Sequence, residues 1–204
     1  MVIILENLFV VQLQICYDQF QNQFREFYQL GMHLYKVEIH KTKIALRISD
    51  NTVIIDTTNY YPARDGRIDD IENGMPESVW VSTQLSHPVV KAYNSILAGS
   101  LVQAGLSNGS TSRIALPVSG DTEQAKNIVA KLVNDSGFDA LDIGNLNDSW
   151  RQQPGSPVYC TDLNLSQLKR NIFRLTSCRT ELNRRAQHMD SHLPLRVKVR
   201  FRAQ

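Results

Sequence analysis

The sequence predicts an α/β fold, a mostly parallel sheet with helices on both faces, incomplete or altered at its amino-terminal side. Three observations lead there. Between Thr52 and Ile143, short apolar runs alternate with helical periodicity in the order β, α, β, α, β, α, β. The leading run, Thr52-Val-Ile-Ile-Asp56, is continuously apolar inside, as a strand covered on both faces requires. The first fifty residues do not share the alternation, and Gly31 is the only glycine before Gly66.

After Thr52–Asp56 come the polar Thr57, Thr58 and Asn59, and then a loop from Tyr60 to Gly66 broken by Pro62 and Asp65-Gly66. This loop is longer than a plain connection needs, which suits a binding role. A helix is expected around Glu77 to Leu85, and a second strand over Pro88–Tyr93 that runs into Asn94. A helix-like segment spans Ser95 to about Ala104, and the Gly- and Ser-rich stretch from Gly105 to Ser112 reads as a turn. The third strand, Arg113–Val118, meets Ser119-Gly120-Asp121.

The clearest helix follows. Ala125, Ile128, Val129, Leu132 and Val133 form one apolar stripe. Asp121 or Thr122 can cap its start, with Gln124 three residues after Asp121, and Gly137 suits a left-handed stop. Phe138–Ile143 is the fourth strand, closed by Gly144.

The rest of the composition sets bounds. A chain of 204 residues with 42% hydrophobic and 21% charged residues suits one globular domain with a buried core. The apolar run Val2–Val11 is interrupted by Glu6 and Asn7 and has no basic residue before it, so neither a signal peptide nor a spanning helix is expected, and a cytoplasmic location is. Cys16, Cys160 and Cys178 are far apart and odd in number, which suits reduced thiols. His33, His40, His87, His188 and His192 lack metal-ligand spacing, and no Ser, His and Asp constellation stands out, so hydrolase and metalloenzyme chemistry are disfavoured.

The net charge of +2 hides an asymmetry. The last forty residues hold ten Lys or Arg against Glu181 and Asp190. Such a tail can touch nucleic acid or anionic lipid non-specifically, but a solvated terminal strand explains it as well and is preferred. In the first fifty residues, Phe20, Phe24, Phe27 and Tyr28 make an aromatic helical stripe suited to packing, and Lys36–Ile48 suits a basic strand pair. No G-x-G-x-x-G is available there to bring a pyrophosphate against a helix start. Three segments are therefore expected: an atypical 1–50, the α/β unit 51–164, and a basic extension 165–204.

Ligands of open parallel sheets bind beyond the carboxyl ends of the strands. Thr57-Thr58-Asn59, Asn94-Ser95, Ser119-Gly120-Asp121 and Gly144-Asn145 are the residues expected there, and all are small or polar. Several ordered blocks carry a family resemblance: Val53–Pro62 with Arg64-Asp65-Gly66, Val90–Asn94, Pro117–Asp121, and Leu141–Leu146 with Trp150. Together they resemble the NADP oxidoreductases dependent on coenzyme F-420, small NADPH-binding reductases related to the cytosolic domains of six-transmembrane ferric reductases.

The resemblance implies a Rossmann-like domain that binds NADP(H) and passes hydride between nicotinamide and a deazaflavin or flavin. It also implies cofactor-binding roles for Thr57, Thr58, Asn59, Lys91 and Asn94, with Trp150 a further contact. In the alternative, Asn59 starts the turn before Pro62, Lys91 is a solvated strand end and Trp150 packs. Since the family's glycine-rich opening has no counterpart in Met1–Asp50, weak cofactor binding is expected. The competing expectation is a non-catalytic relative acting through protein contacts. A sheet edge left open by the missing strands would favour a homo-oligomer.

Overall fold

The computed structural model describes the backbone of residues 2–5 and the full chain of residues 52–177. The aromatic stripe, the Lys36–Ile48 segment, the basic tail, four of the five histidines, Cys16 and Cys178 lie outside the described residues. Cys160 is a free thiol.

Five strands form one sheet in the order of the chain: β1 (Val2–Leu5), β2 (Val53–Asp56), β3 (Val89–Lys91), β4 (Ala115–Gly120) and β5 (Asp139–Asp142). Between β2 and β3 lie two single helical turns, α1 (Pro62–Asp65) and α2 (Asp69–Glu72), and the longer α3 (Glu77–Leu85). The helix α4 (Ala98–Gln103) precedes β4, and α5 (Glu123–Asp135) joins β4 to β5. A 3-10 helix follows over Leu146–Gln152, and a last helix, α6, occupies residues 165–177.

The architecture is α/β and Rossmann-like, with helices on both faces. Strand direction is more mixed than the apolar runs suggest. β2 and β3 are parallel, β4 turns back antiparallel to β3, and β5 is parallel to β4. The β3–β4 overlap is brief, pairing Val90 with Gly120 and Lys91 with Ser119. Tyr93 takes φ of +60°, turning the backbone out of the sheet before the extended run reaches the expected strand end.

β1 pairs antiparallel with β2 along its whole length, Val2 opposite Asp56 and Leu5 opposite Val53. The edge expected to stand open is therefore covered by the chain's own opening strand. Main-chain groups on β2 find partners on both sides, and β1 takes its place at the edge of the described sheet.

Side chains alternate across the sheet with period two. Ile55, Val90, Leu116 and Val118 face the cluster shared with Val129, Val133 and Phe138, under α5. Ile54 and Val89 point the other way, onto Val81 of α3 and Leu146 of the 3-10 helix. Ala115 and Ile143 meet Leu168 and Ile172 of α6 on that second side. The packed body therefore continues past Asn164, where composition placed a boundary. Each fully buried Leu, Ile or Val side chain contributes about 1.5–3 kcal/mol through loss of water contact.

Two details of α5 depart from expectation. Ile128 is 42% exposed, because at 100° per residue it falls roughly 85° from the centre of the stripe formed by Ala125, Val129, Leu132 and Val133. Neither Asp121 nor Thr122 caps the helix with its side chain. The Leu146 amide instead donates to Asp121 Oδ1 at 2.8 Å, since the antiparallel β4 delivers Asp121 to the start of the 3-10 helix. Gly137 does stop α5 in the positive-φ region, at +94°.

Candidate functional site

Strand direction divides the four polar sets expected at one sheet end. β2 and β3 carry Thr57–Asn59 and Asn94–Ser95 to the same end. Because β4 and β5 run the opposite way, Ser119 stands opposite Lys91 while Gly120–Asp121 and Gly144–Asn145 run on toward the other end. There they bond one another: the Gly120 amide donates to the Gly144 carbonyl at 3.1 Å. The candidate site thus rests on β2 and β3, with the 3-10 helix crossing the sheet face to reach it.

Its centre is a buried charge cluster. Lys91 and Asp56 side chains are 0% exposed and Glu77 is 5% exposed. Lys91 Nζ donates to Asp56 Oδ2 at 3.2 Å and to the Thr58 carbonyl, and it lies 3.6 Å from Glu77 Oε2. Ser78 Oγ donates to the same Asp56 oxygen at 2.6 Å, and the Thr58 amide donates to Oδ1 at 2.8 Å. Lys91 is therefore far from a solvated strand end.

The two carboxyl groups respond differently to this setting. Burial pushes Asp56 up, but opposing contributions led by the Lys91 ammonium, with the Ser78 hydroxyl and the Thr58 amide among them, hold it below its ordinary value. Glu77 is pushed up, first by burial and then by the neighbouring Asp56 charge, with Lys91 and the Tyr60 amide opposing. Glu77 Oε2 has no hydrogen-bond partner, so its ionised form is the less well supported of the two.

Beside this cluster sits an amide network. Asn59 Nδ2 donates to the Asn94 carbonyl at 2.9 Å, and Asn94 Nδ2 donates back to Asn59 Oδ1 at 3.0 Å. Asn94 Nδ2 also reaches the Gln152 carbonyl at 2.7 Å, while Gln152 Nε2 donates to Asn94 Oδ1 at 3.0 Å. Asn94 is buried and Asn59 half-buried, so Asn59 is the member with a face toward solvent.

The left-handed backbone of Tyr93 makes this meeting possible. For a bulky residue that conformation costs about 1–2 kcal/mol. Burial of the ring and its hydroxyl contact with Ser136 Oγ at 2.9 Å hold it in place.

An outer rim closes the arrangement. Tyr61 and Tyr159 hydroxyls are 2.6 Å apart, joining the loop after β2 to the chain after the 3-10 helix. Arg64 lies over the Tyr61 ring at 4.9 Å and donates to the Asn59 carbonyl at 2.6 Å.

Of the sequence-expected residues, the structure brings Thr58 to Lys91 and Asn59 to Asn94. Thr57 is buried between Asp56 and Thr58, and half-buried Trp150 shares the 3-10 helix with Gln152. Asp56, Glu77, Ser78, Gln152 and Tyr159 were not singled out. Asp56 ends an apolar strand, a position that could have flagged it. Gln152 lies 58 residues from Asn94 and nothing local marks it.

The class these features define is a Rossmann-like α/β domain with a polar site at the carboxyl ends of two parallel strands. No family model matches the chain. It is similar to the Escherichia coli (strain K12) protein YjhV, with 47% identity over 57 residues, 28% of this chain and 42% of YjhV. The chain thus spans less than half the length of that curated relative.

Among solved structures it is similar to the hypothetical protein SMa0349 from Sinorhizobium meliloti, with a TM-score of 0.53 and 22% identity over 70% of this chain and 78% of that one. That likeness supports the fold. A protein of Arthrobacter sp. FB24 provisionally named an F420 dependent NADP-reductase aligns with a TM-score of 0.36 and 16% identity, over 67% of this chain and 80% of its own. A likeness that loose carries no functional argument. Among the described residues, no helix is long and apolar enough to cross a membrane, and no group of three His, Cys, Asp or Glu could hold a metal.

Proposed function

We propose that the chain is an NAD(P)H-dependent oxidoreductase of the coenzyme F-420-dependent NADP reductase type, acting on a small-molecule partner. The observation that carries this reading is the Asn59–Asn94 amide pair at the carboxyl ends of β2 and β3. Asparagine amides offer both donors and acceptors, which suits the carboxamide end of a nicotinamide ring. Asn59 and Thr58 would meet that ring, Thr57 and Lys91 would support them from below, and Asn94 and Trp150 would border the second ring, a deazaflavin or flavin.

The cofactors would supply the hydride chemistry, while the protein orients them and excludes water. Neither an acid pair nor a metal is needed. The ring end of the cofactor fits the residues present. The pyrophosphate end has no counterpart among the described residues, because the strand beside β2 runs antiparallel and brings no helix start there.

That same observation favours a second reading, a non-catalytic relative that works through protein contacts. Titration of the purified chain with NADPH, read by cofactor fluorescence with and without a deazaflavin or flavin, separates the two. Saturable enhancement that weakens in Asn59→Ala supports the reductase. A flat titration sinks it.

A further inference from the structure

We propose that Lys91 is a positioning residue, whose ammonium holds the Thr58 peptide so that Asn59 is presented beside Asn94. This rests on the site proposed above but assigns Lys91 a different part from the cofactor contact implied by family resemblance. The geometry leaves little for a ligand. Two oxygens accept from Nζ, those of Asp56 and the Thr58 carbonyl, and the Glu77 carboxylate stands 3.6 Å away as a second ion-pair partner. The side chain has no exposed surface through which a bound molecule could reach it.

What the ammonium does touch is the chain that carries Asn59. Thr58 is held at successive peptide groups by one buried pair: its amide donates to Asp56 Oδ1 at 2.8 Å, and its carbonyl, in the peptide that leads into Asn59, accepts from Lys91. One residue on, the Asn59 side chain exchanges hydrogen bonds with Asn94, which stands three residues after Lys91. Lys91 and Asn94 thus clamp consecutive residues of the segment that follows β2. The Ala92 amide, donating to the Asp56 carbonyl at 3.2 Å, ties the two segments together beside those clamps.

Removing Lys91 alone would strand two buried carboxylates, and that variant can fail to fold. The working variant, compared with E77Q, is E77Q/K91M, which leaves one buried carboxylate rather than two, Asp56, still bonded by Ser78 and the Thr58 amide. Hydrogen exchange at the Thr58 amide is the first readout, and it needs no ligand. Loss of the Lys91 bond to the Thr58 carbonyl leaves this residue held by Asp56 alone, so local opening should speed exchange of its amide roughly tenfold or more in E77Q/K91M, with the β4 and α5 amides unchanged. Unchanged exchange at Thr58 would overturn the proposal.

NADPH titration of the same proteins, each with and without N59A, is the second readout. A wild-type chain that shows no saturable binding defeats the cofactor reading and leaves the exchange result to decide the role of Lys91. Where binding is seen, a residue acting through Asn59 should lose its effect once Asn59 is truncated, so the K91M change should no longer weaken binding in the N59A background. An equal fold-loss with and without Asn59 would mean that Lys91 meets the ligand itself, and would overturn the proposal.

Discussion

Asp56 and Lys91 lie 3.2 Å apart, at the ends of adjacent parallel strands and with neither side chain exposed. An ion pair so placed is costly to form and more costly to break, since a lone partner keeps its charge without compensation.

Asp56→Asn should therefore destabilise the fold by about 3 kcal/mol, with Glu77 left as the only anion near Lys91. Urea unfolding at neutral pH measures this. A loss below about 1 kcal/mol would show that the pair adds little.

Glu77 and Asp56 should respond to pH with opposite signs. The folded value of Asp56 lies below its ordinary 3.8, so its contribution is present above that pH and is lost as the pH falls through the depressed value. The folded value of Glu77 lies above its ordinary 4.5, so stability linked to it is full below that pH and is lost as the pH rises through the raised value. Relative to Glu77→Gln, the wild type should lose stability as pH is raised from 4.5. Urea midpoints of both proteins across that range provide the check, and parallel profiles would refute it.

Arg113 is buried and donates to the Leu106, Asn134 and Phe138 carbonyls, with Nε 2.8 Å from Asp139 Oδ1. Arg113→Met leaves those carbonyls without their donor, at a cost of about 3 kcal/mol or more. Arg113→Lys should restore only part of this, because a single ammonium cannot span a fork of acceptors. Full recovery in thermal unfolding would contradict that geometry.

Gly137 meets the turn after α4 too closely for any side chain. An added Cβ would stand 2.7 Å from the Gly105 Cα, at a φ of +94°. Gly137→Ala should cost about 2 kcal/mol or more, seen as a lower melting temperature. Gly66, also at positive φ, has open space around it, so Gly66→Ala should cost less, about 1 kcal/mol.

Much of the fold was legible because it depends on local pattern. The Val53–Asp56 strand, the Glu77–Leu85 helix and the stop at Gly137 follow from burial on two faces, helical periodicity and the conformational freedom of glycine. Those are properties of neighbours in sequence. The polar residues after β2 and β3 could be picked out for the same reason, as side chains just past an apolar run.

What the sequence by itself determined was therefore the α/β class and the strand and helix segments, and its expected residues Thr57–Asn59 and Asn94 lie within the candidate site. Tertiary structure alone decided that β1 covers the outer edge of β2, that β4 runs against β3, and that Glu77, Ser78 and Gln152 join the site. Strand direction depends on how loops return the chain, and a buried ion pair on groups 35 residues apart finding one another away from water. Neither leaves a mark on local periodicity. Lys91 shows the difference: in sequence it ends a strand, and only the packed chain encloses it completely.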